Sequence, residues 1–250
     1  MIKYAALTDM GICQKNDDRI MINGNTLGFG NLGGTAEDRV LAVVCDGVGG
    51  YSHGGEAAEI TAKVFSNLCG QIQIISQASI EDAVADANAI VIAAQSTDTS
   101  HRNMSSTLAG VYLCGNSFLA FNVGDSKIFR LRNTYLSQLS VDHTYAQESL
   151  DLGVVADKTK IGEKDKHRIT QCIGDKNRCI PSITDGKGRL FEDDVFLICS
   201  DGVTDVIAND LIEATLNEQT GLLERRDNLY RIALQNGSQD NISIILLEVL

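Results

Sequence analysis

Acidic residues in this chain fall where apolar strands would begin or end, which is one way to build a cation-binding cleft. The run LAVVCDGVGG sets Asp46-Gly47 directly after an apolar stretch, and VFLICSDGV sets Asp201-Gly202 in the same place. In FLAFNVGDS, Asp125 stands two residues beyond a third stretch. In SQDNISIILLEV, Asp240 stands just ahead of the last one, and in GICQKNDDR the pair Asp17-Asp18 precedes a shorter one. Rigid strands would project these carboxylates into a shared cleft. Carboxylates gathered together repel one another and stay ionised only when cations neutralise them. Donor sets made of oxygen alone select hard ions such as Mg²⁺ or Mn²⁺. A glycine beside Asp46, Asp125 and Asp201 lets the backbone approach an ion and offer a carbonyl. Asp-Gly is also an ordinary turn dipeptide, and any one of these sites read alone is turn chemistry. Two near-copies of Cys-(Ser)-Asp-Gly-Val beside the other acids favour the shared cleft.

The elements that would carry these residues are short. Strand-length apolar runs cover Ile2–Leu7, Val40–Cys45, Thr107–Leu113, Phe118–Val123, Lys127–Leu131, Val195–Cys199 and Ile242–Val249. Gly115-Asn116 signals a hairpin, and Arg132–Thr134 a second turn. Helical spacing occurs over Glu56–Cys69, with Gly70 as a stop, and over Ile80–Gln95, where Ser79 and Asp82 read as a capping box. Two more helices are expected over Asp210–Asn217, after Asn209 as cap, and over Leu222–Asn236. Strands and helices do not alternate regularly. That favours antiparallel sheets with helices packed on them, an α+β fold, over a doubly wound parallel one. No linker or composition shift divides residues 1–250, so one domain is expected.

Composition bounds the function. The 250 residues carry 21 Lys plus Arg against 33 Asp plus Glu, a net charge of −12, which disfavours nucleic acid as a partner. No apolar run approaches the length of a membrane span, and the N-terminal residues lack the long apolar stretch of a secretion signal. Seven cysteines, an odd number with no Cys-x-x-Cys, read as small buried hydrophobes in a reducing cytoplasm. Four histidines never pair at zinc-ligand spacing. Gly-Val-Gly-Gly at 47–50 lacks the lysine of a phosphate-binding loop. The stretch GFGNLGG (28–34) lacks the strand and helix of a dinucleotide site and reads as a turn between strands.

Eight ordered motifs, spanning Leu7 to Val249, together resemble the metal-dependent serine/threonine protein phosphatases, the PPM or type 2C family, in a bacterial-type form. They are Leu7–Gly11 with Asn16-Asp17-Asp18, Asp46–Gly50 with Gly55–Ala58, Ser105–Leu108, Asn122–Lys127, Val141–Thr144, Ile169–Gly174, Cys199–Asp205 and Ser238–Ser243. The resemblance implies two packed antiparallel β-sheets flanked by helices, a four-layer α-β-β-α sandwich with metals at one end. It implies hydrolysis of phosphoserine and phosphothreonine on proteins by a water bridging two Mn²⁺ or Mg²⁺ ions, with no phosphoenzyme. Asp46 would bridge both ions, and Asp201 and Asp240 would hold the first. The Gly47 carbonyl would serve the second, with Asp17 or Asp18 binding it directly or through water. Asp125 and Asp201 would form a weaker third site, and Asp205 and Asn241 would brace the ligands from behind.

Three departures from the family pattern stand out. The family's opening segment carries an arginine that can dock phosphate. Here the interval is Ile12-Cys13-Gln14-Lys15, leaving Lys15 or Arg19 as substitutes. Position 48 is valine where some members have a histidine proposed as general acid, and His53 is the nearby candidate for that role. The segment between Thr144 and Ile169 is short and rich in charge. The implied partners are phosphoproteins made by a serine/threonine kinase, met by a monomer. The alternatives are a catalytically weak or inactive member acting as a phosphoprotein-binding scaffold, and a plain cation-binding protein.

Overall fold

Successive side chains of a strand point to opposite faces, and here both faces of each sheet are covered. In the computed structural model, which describes residues 1–48, 53–71, 74–97, 99–157, 160–162, 165 and 167–250, two six-stranded sheets stack face to face. One runs β11 (Tyr135–Gln138), β10 (Lys127–Arg132), β13 (Val195–Cys199), β14 (Ile242–Val249), β1 (Ile2–Asp9), β4 (Gly30–Ala36). The other runs β12 (Ser182–Asp185), β9 (Ser117–Val123), β8 (Leu108–Cys114), β5 (Arg39–Cys45), β2 (Arg19–Ile22), β3 (Asn25–Leu27). A two-stranded ribbon pairs β6 (Gly47–Val48) with β7 (Ser105–Ser106), and every pairing is antiparallel.

Helices α1 (Gly54–Gln71) and α2 (Gln77–Gln95) cover the second sheet. Helices α5 (Asn209–Leu216) and α6 (Leu222–Gln235) cover the first, and the short α3 (Tyr145–Asp151) and α4 (Asp201–Thr204) lie in connections. On β5, Val40, Ala42 and Val44 enter the core between the sheets, while Leu41, Val43 and Cys45 pack under α1 and α2. On β14, Ile245 and Leu247 face inward, while Ile242, Ile244 and Leu246 meet Ile212, Leu216 and Leu229. Burying each large side chain of this kind contributes about 1.5–3 kcal/mol. Double coverage explains why the strands read as continuous apolar runs rather than as alternating ones.

The four-layer expectation holds, with local corrections. The stretch GFGNLGG is mostly strand: residues 30–36 pair with Ile2–Thr8 at the sheet edge. Its glycines make room for neighbours, since a Cβ at Gly34 would lie 2.6 Å from the Tyr4 hydroxyl. The α2 cap is Ser76, whose hydroxyl accepts from the Ser79 N–H in a Ser76/Ser79 box, three residues ahead of the expected one. Gly70 lies inside α1 instead of ending it, and Asn209 is the first helical residue of α5, after Ala208. The Gly49-Gly50 portion of one motif lies outside the described residues, as do Lys158, Thr159, Glu163, Lys164 and Lys166 of the charged segment.

Candidate functional site

Strand register brings the acidic residues to one end of the sandwich. Arg19 of β2 pairs with Cys45 of β5, so Asp18 and Asp46 flank the same edge. Cys199 of β13 pairs with Lys127 of β10 and with Ile244 of β14, so Asp201, Asp125 and Asp240 all stand beyond that same edge. The Asp46 carbonyl accepts from the Thr107 N–H at 2.8 Å, and the Thr107 hydroxyl accepts from the Asp46 N–H at 3.1 Å. This exchange fixes the chain where it leaves β5.

The electrostatics are those of an acid cluster whose negative charge far outweighs the positive charge of nearby Lys127. Burial first, then the charges of Asp18, Asp201, Asp125 and Asp240, hold the Asp46 carboxyl well above the usual carboxylate range. Asp201 is raised in the same way, by burial and then by Asp125, Asp240, Asp205 and Asp18. Burial pushes Asp18 up to about 6 against hydrogen bonds from Ser243 and Ser200. Burial likewise pushes Asp125 to about 6, with Lys127 opposing. One buried oxygen each of Asp125 and Asp201 has no hydrogen-bond partner. Unpaired buried carboxylate oxygens are costly, and an oxygen-only set with a backbone carbonyl beside it fits hard divalent cations. Among the described residues, no three of these carboxylates bring oxygens within 4.8 Å of one another.

A hydrogen-bonded layer orients the acids. Asn16 Nδ2 donates to Thr8 Oγ1 at 2.8 Å, Thr8 meets Ser243 Oγ at 2.8 Å, and Ser243 donates to Asp18 Oδ2 at 2.7 Å. With the Ser243 proton on Asp18, Thr8 is the donor to Ser243. Asn241 staples the opening segment: its amide donates to the carbonyls of Lys15 (2.9 Å) and Met10 (3.2 Å), and its Oδ1 accepts from the Asp17 N–H (2.8 Å). Around Asp125, Asn122 Nδ2 donates to the Val141 carbonyl at 2.7 Å. His143 Nδ1 accepts from the Gly124 N–H at 3.2 Å, leaving Nε2 to donate to Ser182 Oγ at 2.9 Å. Burial lowers the His143 pKa, in keeping with a neutral ring. Gly47 must be glycine for closeness: a Cβ there would sit 2.3 Å from the Gly54 carbonyl carbon and 2.7 Å from the Asp17 carbonyl oxygen.

The other candidates fall in different places. Of the Asp17-Asp18 pair, Asp18 is buried within the cluster, whereas Asp17 pairs with Lys15 at 2.8 Å. Arg19 donates to Glu59 at 2.7 Å and to the carbonyls of Asn16 and Asp18, so its guanidinium is engaged by the surrounding scaffold. His53 is turned to Glu56 and His101. Asp205 meets His167 at 3.4 Å in a cleft of about 170 Å³ that also includes Asp125, Asp201 and Lys127. Lys127 is a cleft cation that motif reading marked without giving it a role. The bracing parts played by Thr8, Thr107 and Asn122 were also missed, because they need the sheet pairing to be seen.

With this geometry, comparison with known proteins gives a family. The model for Protein phosphatase 2C matches residues 30–244. The chain belongs to that family, and with it to the serine/threonine protein phosphatases, hydrolases of phosphoric monoesters. Serine/threonine phosphatase stp of Listeria monocytogenes is 23% identical over 236 residues, covering 92% of this chain and 93% of the relative. The S. agalactiae serine/threonine phosphatase structure has a TM-score of 0.87 at 24% identity, covering 100% of both chains. The catalytic domain of PstP, solved in complex with two manganese ions, has a TM-score of 0.82 at 24% identity, again over 100% of both. These two structural likenesses show the fold. No helix among the described residues is long and apolar enough to cross a membrane.

Proposed function

We propose that residues 1–250 form one catalytic domain that hydrolyses phosphoserine and phosphothreonine on cytoplasmic proteins, as a monomer, with water as nucleophile at a centre of two Mn²⁺ or Mg²⁺ ions. The observation that carries this is the buried acid cluster with unpartnered oxygens on Asp125 and Asp201. Asp46 would be shared by the two ions. Asp201 and Asp240 would complete the first set, and Asp18 with the Gly47 carbonyl the second. Asp125 and Asp201 would offer a weaker third position. Asp205 and Asn241 would brace them. The two manganese ions in the PstP structure support the count. When bound, such a pair supplies Lewis-acid charge and makes hydroxide available near neutral pH.

The chain's own groups support water rather than a side chain as nucleophile. Burial and the neighbouring carboxylates push up the thiols of Cys13, Cys45 and Cys199, the last to about 12, so each stays protonated. Lys127 places positive charge in the cleft beside Asp125 and Asp201, where a phosphoryl group would arrive. A second reading, a weak or inactive phosphoprotein-binding scaffold, draws on the engagement of both Lys15 and Arg19.

The test is hydrolysis of phosphoserine, phosphothreonine and phosphotyrosine peptides across a metal titration, with a chelator arm and an Asp201→Asn control. The expected result is metal-dependent turnover of the first two peptides, with a loss of about 10³-fold or more in the variant, some 4 kcal/mol of transition-state stabilisation. Full activity under chelation, or in Asp201→Asn, overturns the mechanism. Metal binding with all three peptides left intact favours the scaffold.

A further inference from the structure

Apart from the carboxylate cluster, two imidazoles and one carboxylate converge on a single point. His53 leads into α1, Glu56 lies in the first turn of that helix, and His101 ends a 3-10 turn (Thr99–His101) that follows α2. His53 Nδ1 is 3.4 Å from Glu56 Oε2, and His101 Nε2 is 3.2 Å from the same oxygen. The two rings lie against each other with centroids 3.8 Å apart and planes tilted by 31°. One donor atom from each of the three residues falls within 4.8 Å of the others, and no other His, Cys, Asp or Glu trio among the described residues does this.

The two separations from Glu56 Oε2 match those between donors in a metal shell. Around Zn²⁺, with bonds of about 2.0–2.2 Å, tetrahedrally arranged donors lie about 3.3–3.5 Å from one another. Two imidazole nitrogens with one carboxylate oxygen suit borderline ions such as Zn²⁺ and Co²⁺, whereas Mg²⁺ takes oxygen. The two clusters therefore differ in the hardness of the donors they offer. We propose that His53, Glu56 and His101 form a separate site for a divalent ion of the Zn²⁺ class, with its remaining position open to water or an outside ligand. The three side chains are 28%, 49% and 19% exposed, so an ion can enter from solvent. Its place in the fold gives it a task. Val48 of β6 pairs with Ser105 of β7, and Gly54 packs on Gly47. An ion here would tie the start of α1 to the segment entering β7, strapping together the two chain segments that flank Gly47.

The competing explanation is a plain hydrogen-bonded trio, in which both imidazoles donate to Glu56 Oε2 and no ion is needed. The two are separated in the full-length protein held in excess Mg²⁺, to occupy the acidic centre, while Zn²⁺ is added to one equivalent. The readout is the imidazole NMR resonances of the four histidines. The expected result is a one-to-one shift of His53 and His101, with His143 and His167 unmoved. Calorimetric Zn²⁺ affinity should fall at least tenfold in both His101→Ala and Glu56→Gln. Because a variant can misfold, thermal melting of each is compared with the parent, and His101→Gln provides a milder replacement with the same expected loss. Unmoved His53 and His101 resonances, or Zn²⁺ affinity that survives in folded His101→Ala or His101→Gln, overturn the site. Phosphopeptide hydrolysis by His101→Ala in Mg²⁺ is expected to match the parent, so failure here leaves the phosphatase reading standing and is distinguishable from it.

Discussion

The two ends of the sandwich handle buried acid in opposite ways. At the end away from the cluster, Asp194 is buried and accepts from Arg132 Nε at 2.6 Å, and Arg132 lies over Phe191 at 4.5 Å. Glu248, at the same end, is paired with the guanidinium of Arg225. Each of these two acids has its own arginine. At the other end, Asp18, Asp46, Asp125 and Asp201 crowd together with no arginine among them, and two of their oxygens are unpartnered. The same fold supplies guanidinium where a carboxylate is scaffold and withholds it where a carboxylate must meet something from outside. Missing countercharge is thus a better marker of function than acid content.

This contrast can be broken most decisively at Asp46. Asp46→Asn should cost about 10³-fold or more in metal-dependent phosphopeptide hydrolysis. Melting of the chelated variant should stay at or above that of the chelated parent, since the amide resembles the protonated acid favoured there. Steady-state kinetics beside calorimetric melting checks both halves.

A smaller effect follows from the titration of the cluster. Asp18 and Asp125 each have a folded pKa of about 6, above the ordinary value of 3.8. The folded state therefore binds those protons more tightly than the unfolded chain does. That stability is fully present below the unfolded value and is lost as pH rises through about 6. Chelated protein should lose a few kcal/mol from this source between about pH 4 and 7. Added Mn²⁺ should stabilise increasingly over the same window, because it needs the deprotonated acids. Melting with and without metal, in steps of pH, reads this directly; a chelated protein that gains stability through that window from these two groups would contradict it.

At the opposite end, Asp194→Asn should leave turnover per folded molecule unchanged but cost about 2–3 kcal/mol, because it strands a partly buried guanidinium. Denaturant titration alongside turnover would detect any reversal of that pattern.

Much of this was legible in the sequence because the sheets are covered on both sides. Val40–Cys45 is apolar at every position and Ile242–Val249 at all but Ser243 and Glu248, and nearly every bound placed on such runs holds to within one or two residues. The edge strand Gly30–Ala36 was not legible. Its glycines have little strand propensity of their own, and pairing with Ile2–Thr8 decides the matter from outside the segment. The strand-end acids were legible as a set. What could not be read was which of Asp17 and Asp18 turns inward. That depends on a hydrogen-bonded relay from Asn16 through Thr8 to Ser243, the last more than two hundred positions from the other two. The role of Arg19 was hidden for the same reason, since Glu59 comes from a helix packed across the sheet.

The pairing of β1 with β14 joins residues 2–9 to residues 242–249 along their whole length. Asp240 and Asn241 reach the opening loop only through that seam. The acids on either side of it are therefore neighbours in space although more than two hundred positions separate them along the chain, a loop closure whose entropic cost the eight paired residues of the seam help to offset.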